Sequence, residues 1–344
     1  MKSGLAPKLR ALAIAVCALL ASSAALAAMQ DKQQTKDDAL KVSEGEQKAI
    51  EKIKAASGVS EKLKASAEYL KKNGKSQMRP RVAAYISAEI AKVTDHGQRV
   101  GFIENFTKTF NLPEEADLVK PSLIESFLSS GKFEEAFNEG SKYVEKKPDD
   151  VIVLSQVTWA AANMAQKQSQ SNQAPPAALV QKATTAGAKA VEFLEGDKKP
   201  ADMDATLWNN FRNSWLPRLY QAQGVMFFVS NDHAAAKEKL EKAAGLDPYD
   251  PPTLLLLSRI LNDEYTKLGE RYQTERKQAL LNEALQKMDE LIDWMARVAA
   301  VTEGNAQYQA VNGQIMDQLK QYYAYRHENK TDGLKELIQK YKKP

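Results

Sequence analysis

At 344 residues the chain is long enough for a large core, and 48 basic against 44 acidic side chains leave a formal charge of +4. So small an excess gives no bulk electrostatic reason to bind nucleic acid or anionic lipid. One cysteine excludes an intramolecular disulfide framework, and sixteen glycines with thirteen prolines are few for the length, so the long Ala-, Lys-, Glu- and Leu-rich runs favour an all-helical chain.

Lys2, Lys8 and Arg10 precede an apolar run from Ala11 to Leu20, and Ala25-Leu26-Ala27 is small at both outer positions. This order predicts a signal peptide over 1–27, cleaved after Ala27. A membrane helix is the competing reading, since the run to Ala28 is almost long enough to cross a bilayer. It is built from Ala and Ser, however, and no positive cluster follows it. Val16 before Cys17 has the wrong size for a lipid-attachment site. Removing Lys2, Lys8 and Arg10 takes the basic count from 48 to 45 against 44 acids and leaves no cysteine. The expectation is an exported, periplasmic or envelope protein with no membrane insertion after cleavage.

Residues 28–42 are polar and aperiodic and read as a flexible leader. Ser43 heads a weak capping-box-like start. Ile50 and Ile53, then Leu63, Ala67 and Leu70, mark two amphipathic helices broken at Ser57-Gly58. Asn73-Gly74 is expected to close the pair in the left-handed conformation. The stretch around Glu61 to Val93 resembles repeats of bacterial envelope proteins. A second pair is expected from Val82 to Pro113, with Asp95 as a cap and Gly101 at a close crossing.

The segment 117–150 has Leu123, Phe127, Ala136, Tyr143 and Pro148 at helical-hairpin spacing, with a turn beginning at Gly131. A loop rich in Gln, Ser, Asn and Pro is expected from Gln166 to Pro176, followed by a long helix carrying Trp208, Phe211 and Trp215. In 217–250, Tyr220, Gly224 and Phe227 share one helix face, while Ala236, Leu240 and Ala243 repeat on a second. Ser230, Asn231 and Asp232 offer N-cap side chains, and Pro248 stops the second helix. Beyond it, Leu254 to Leu257 are apolar on every side and should be buried. A last pair ends in LKELIQKYKKP, whose lysines suit a terminal cap.

The order Tyr220, Gly224, Phe227, Ala236, Leu240, Ala243, Pro248 resembles the tetratricopeptide repeat, a unit of 34 residues. Tyr220 stands where the family favours tryptophan and Gln223 where it has leucine; in 117–150, Ile124 replaces the glycine and Gly140 the large apolar residue. The resemblance implies an all-α fold, an irregular right-handed solenoid of antiparallel helix pairs over 43–344, clearest in 117–150 and 217–250. It also implies a concave wall lined by first helices, with Leu118, Pro121, Glu125 and Leu128 on one unit and Arg218, Gln221, Val225 and Phe228 on the other. Some members grip a terminal carboxylate with lysine and asparagine. Here those positions hold Pro121 and Glu125, then Gln221 and Val225, so that clamp is not implied.

No phosphate loop, serine elbow, His-Glu-x-x-His pair or cysteine pair occurs. His96, His233 and His327 are the three histidines, and the acidic pairs Glu134-Glu135 and Asp149-Asp150 suit turns and solvated faces. The reading is a non-catalytic scaffold without cofactor or metal that binds another protein or a peptide segment, and not nucleic acid. Two alternatives stay open: an enzyme or glycan-binding protein with its site in the groove, and a structural component tethered at a membrane by an uncleaved N-terminus.

Overall fold

The computed structural model describes residues 42–201 and 203–343. The expected signal peptide (1–27) and nearly all of the leader (28–42) lie outside the described residues. Among those described, helices and turns make up the fold and no strand occurs. They divide into two compact units, one of 42–165 with 175–222 and the other of 166–174 with 223–343.

In the first unit α1 (Glu44–Ala55) and α2 (Gly58–Asn73) form the opening hairpin. The Ser43 hydroxyl accepts from the Glu46 amide, as the sequence suggested. Gly58 takes a φ of +76°, which lets the chain reverse between them. Gly74 departs from expectation: it stays right-handed at φ −60°. The end of α2 is closed by side chains instead, with Asn73 donating to the Tyr69 carbonyl and Arg79 to the Gly74 carbonyl.

Next come α3 (Arg79–Ala91) and α4 (His96–Thr109), with Asp95 capping the Gln98 amide at 2.8 Å. A five-residue helix, α5 (Pro113–Asp117), precedes α6 (Lys120–Ser129) and α7 (Phe133–Lys146). Successive helices pack on one another, and α2 also packs on α4 and α4 on α6. Such neighbour-to-neighbour burial is how stacked repeats build a core. Ile53, Ile86, Ile90, Phe106 and Phe110 lie at its centre, each at most 1% exposed.

Gly140 shows why a small residue is needed on α7: a methyl there would lie 2.4 Å from Val157 Cγ2 on α8 (Val151–Gln170). Gly101, expected at an equally tight place, faces open space. Helix α8 is buried at every position from Val151 to Asn163 and continues to Gln170, so the expected loop from Gln166 shortens to 171–176. It is followed by α9 (Ala177–Glu195) and α10 (Ala205–Val229). Trp208 stacks on Phe211 at 6.2 Å, and Phe211 lies tilted against Trp215 at 5.8 Å, within this unit. Pro217, read as the opening of a repeat, lies inside α10, which starts at Ala205.

The second unit takes the end of α10, then α11 (His233–Leu246), α12 (Pro251–Glu275), α13 (Gln278–Thr302), α14 (Gln309–Arg326) and α15 (Leu334–Lys340). Asp232 caps α11 through the Ala235 amide and Asp250 caps α12 through the Thr253 amide. Gly224 on α10 faces Leu240 on α11, the crossing expected from the repeat pattern. Leu254 and Leu257 are fully buried and Leu255 and Leu256 nearly so. At roughly 1.5–3 kcal/mol per buried leucine, this turn of helix is a main source of stability. The all-α class of consecutive helix pairs is therefore what each unit shows.

Candidate functional site

Three first helices of the second unit share one wall, traced by contacts between their side chains. At the end of α10, the Phe228 ring stacks on His233 at 5.2 Å. The Arg259 guanidinium of α12 lies 4.9 Å above the same ring. One turn further along α12, Asn262 Oδ1 accepts from Gln318 Nε2 at 3.0 Å and from the Tyr322 hydroxyl at 3.1 Å, both on α14. Gln318 Nε2 also reaches the Tyr322 oxygen at 2.8 Å. Tyr265 meets Tyr322 edge-on at 5.5 Å.

The chemistry of this wall follows from what is used and what is left over. Burial pushes both the Tyr265 and Tyr322 phenols upward, so both stay protonated, and Tyr322 spends its proton on Asn262. Two donors fill the Asn262 oxygen, which fixes the amide with its Nδ2 turned to the other side. No bond uses that Nδ2 or the Gln318 Oε1 among the described residues. Arg259 is exposed and no carboxylate pairs with it there; Asp263, one turn on, closes no ion pair with it. Tyr325, at 60% exposure, carries the aromatic surface further along α14.

Of the residues expected from sequence, Phe228 carries the Arg259 contact, and Val225 and Phe228 are both half-buried against the core of the second unit. The others sit in the first unit and differ. Glu125 and Leu128, expected on an accessible inner surface, are 4% and 2% exposed. Arg99 is the reason for Glu125: it arrives from α4 and pairs with the carboxylate at 2.8 Å. Pro121 is buried, and Leu118 is half-buried against the first core. Gln221 is 8% exposed, and Arg218 lies over Trp215 at 5.8 Å.

Arg259, Asn262 and Gln318 were missed. A signal for two of them was present, because one step of 34 residues carries Val225 and Phe228 onto Arg259 and Asn262. The same step carries Tyr220, Gly224 and Phe227 onto Leu254, Ser258 and Leu261, all buried.

The buried carboxylates of the described residues have structural roles. Glu115 pairs with Arg79 at 2.6 Å and Glu125 with Arg99. No group of His, Cys, Asp and Glu among the described residues could hold a metal ion. No described helix is long and apolar enough to cross a membrane.

No protein-family model matches the chain, and no curated protein matches it in sequence. Among solved structures it is similar to a monomeric mutant of IFIT1 with m7Gppp-AAAA, at 12% identity and a TM-score of 0.31, covering 86% of this chain and 60% of that one. It is also similar to the human IFIT1 dimer with PPP-AAAA, at 10% identity and a TM-score of 0.29, covering 90% of this chain and 86% of that one.

Proposed function

We propose that this chain is a non-catalytic helical-repeat scaffold that binds a segment of another protein, and that it works in the bacterial cell envelope after export. The observation that carries the binding reading is the wall of α10, α12 and α14. It holds an exposed guanidinium on an aromatic ring, and an amide pair oriented by a network but with its outer valences unused. The network orients these groups, while the Arg259 N–H donors, Asn262 Nδ2 and Gln318 Oε1 are not used by the fold, which supports a ligand at this wall. The absence of a dominant charge supports a protein over a nucleic acid as that ligand. Export is supported by the order of Lys2, Lys8 and Arg10, the apolar run and Ala25-Leu26-Ala27.

Affinity capture from an envelope fraction with the purified chain tests the reading. A specific, saturable protein partner is the expected result, and retention of none would overturn it.

A further inference from the structure

The wall has a chemical polarity that narrows its ligand, and this inference rests on the scaffold reading above. Three features of the second unit point the same way. Arg259 presents a fork of N–H donors with one face laid on Phe228, so its charge is held in place without being neutralised. Asn262 Nδ2 is a fixed donor, since the Gln318 and Tyr322 donors occupy the oxygen of the same amide. Gln318 Oε1 is a fixed acceptor, since its nitrogen is engaged with Asn262 and Tyr322.

A donor and an acceptor on neighbouring helices match the C=O and N–H of a main chain whose own hydrogen bonds are unmade, which is an extended segment. A guanidinium beside them matches a carboxylate on that segment. The half-buried rings of Phe228, beneath Arg259, and of Tyr265 and Tyr322, which meet edge-on, supply apolar surface beside the polar groups. We infer that this wall binds an extended polypeptide segment bearing an internal acidic side chain: Arg259 holds the carboxylate, and the Asn262–Gln318 pair holds the main chain.

Asp263 sharpens the expectation. Four residues from Arg259 and so on the same side of α12, it repels a second acid on the ligand, so the segment carries its acid opposite Arg259 and a neutral or basic residue opposite Asp263. A uniformly acidic tract is disfavoured for the same reason.

The test uses the full chain and a panel of short fluorescent peptides, acetylated at the N-terminus and amidated at the C-terminus so that no terminal carboxylate is present. Each carries one central glutamate, glutamine or lysine. Binding is read by anisotropy, with a single-stranded oligonucleotide as a further probe. The glutamate peptides should bind about tenfold or more tighter than the lysine peptides, because the lysine leaves a cation against a cation. Arg259→Gln should remove that preference, and Arg259→Lys should restore part of it.

Asn262→Leu with Gln318→Leu should weaken glutamate and glutamine peptides alike by about tenfold, since a main-chain contact is common to both. Circular dichroism of each variant checks that the wall still folds. Equal binding of glutamate and lysine peptides would overturn the inference, as would indifference to Arg259→Gln. Tighter binding of the oligonucleotide than of every peptide would also overturn it. Should no peptide bind while envelope capture still yields a partner, the acidic-segment inference fails and the scaffold reading survives. Should capture yield nothing, the scaffold reading itself fails.

Discussion

The α-carbon of Gly224 sits so close to Leu240 that a methyl group placed on it would lie 2.5 Å from Leu240 Cγ. Backbone meets side chain here because α10 and α11 cross with no room for a larger residue, and Ala236 O lies 3.4 Å from the same point. Gly224→Ala therefore forces either Leu240 or the helices to move. Overpacking of about 1–3 kcal/mol outweighs the roughly 1 kcal/mol that alanine gains over glycine in a helix. Urea unfolding should show a net loss. Gly140→Ala, facing Val157, should behave the same way, whereas Gly101→Ala in α4 faces open space and should stabilise by up to ~1 kcal/mol.

The Arg99–Glu125 pair makes a second prediction. Both side chains are essentially withdrawn from water, and Arg99 also donates through Nε to the Val93 carbonyl. Glu125→Ala leaves a buried guanidinium without its counter-charge and should cost about 3–5 kcal/mol. Combining it with Arg99→Met should recover much of the loss, because two apolar side chains tolerate burial that one lone charge does not. Thermal unfolding of the two single variants and the double variant reads the coupling.

His96 predicts a pH response. Burial, and then the nearby Arg99 charge, hold its imidazole below the ordinary value of 6.5, and its Nδ1 is buried without a bond. At neutral pH and above, the ring is uncharged in folded and unfolded chains alike and contributes nothing. As pH falls through the unfolded value the unfolded chain takes the proton first, so stability drops, and the loss levels off once the folded ring also protonates. Urea midpoints measured from about pH 7.5 down to about pH 5 should fall more in the wild type than in His96→Gln. Equal slopes would remove His96 as the cause.

Leu257 on α12 is fully buried within the second core. Leu257→Ala should cost about 2–5 kcal/mol by transfer and cavity together. Lys267→Ala, on an exposed position of the same helix, should change stability by no more than about 0.5 kcal/mol. Denaturant titration of both variants separates core packing from helix propensity.

The helix pairs were legible because their signal is local. Tyr220, Gly224 and Phe227 are spaced by the helical period, Asp232 and Asp95 cap as read, and Pro148 and Pro248 follow helix ends. Gly74 and Gly101 were misread because a glycine alone does not tell whether a turn, a crossing or nothing requires it. The wall was only half legible. The repeat phase carries on through Leu254, Ser258 and Leu261, yet α12 runs to Glu275, so the second helix begins late and the pattern breaks there. Glu125 was placed on a surface because its partner Arg99 comes from a different helix pair, a pairing that no spacing within one unit reveals.

Docking of a partner on the wall carrying Phe228, Arg259, Asn262 and Tyr322 can be read by site-specific photo-crosslinking. A photoreactive residue is placed at exposed Tyr325 on α14, or at exposed Glu283 on α13, and each chain is irradiated with the envelope fraction. A discrete protein adduct is expected from position 325, diminished by Arg259→Gln, and none from position 283. Equal adducts from both positions, or an adduct from 283 alone, would contradict docking at this wall.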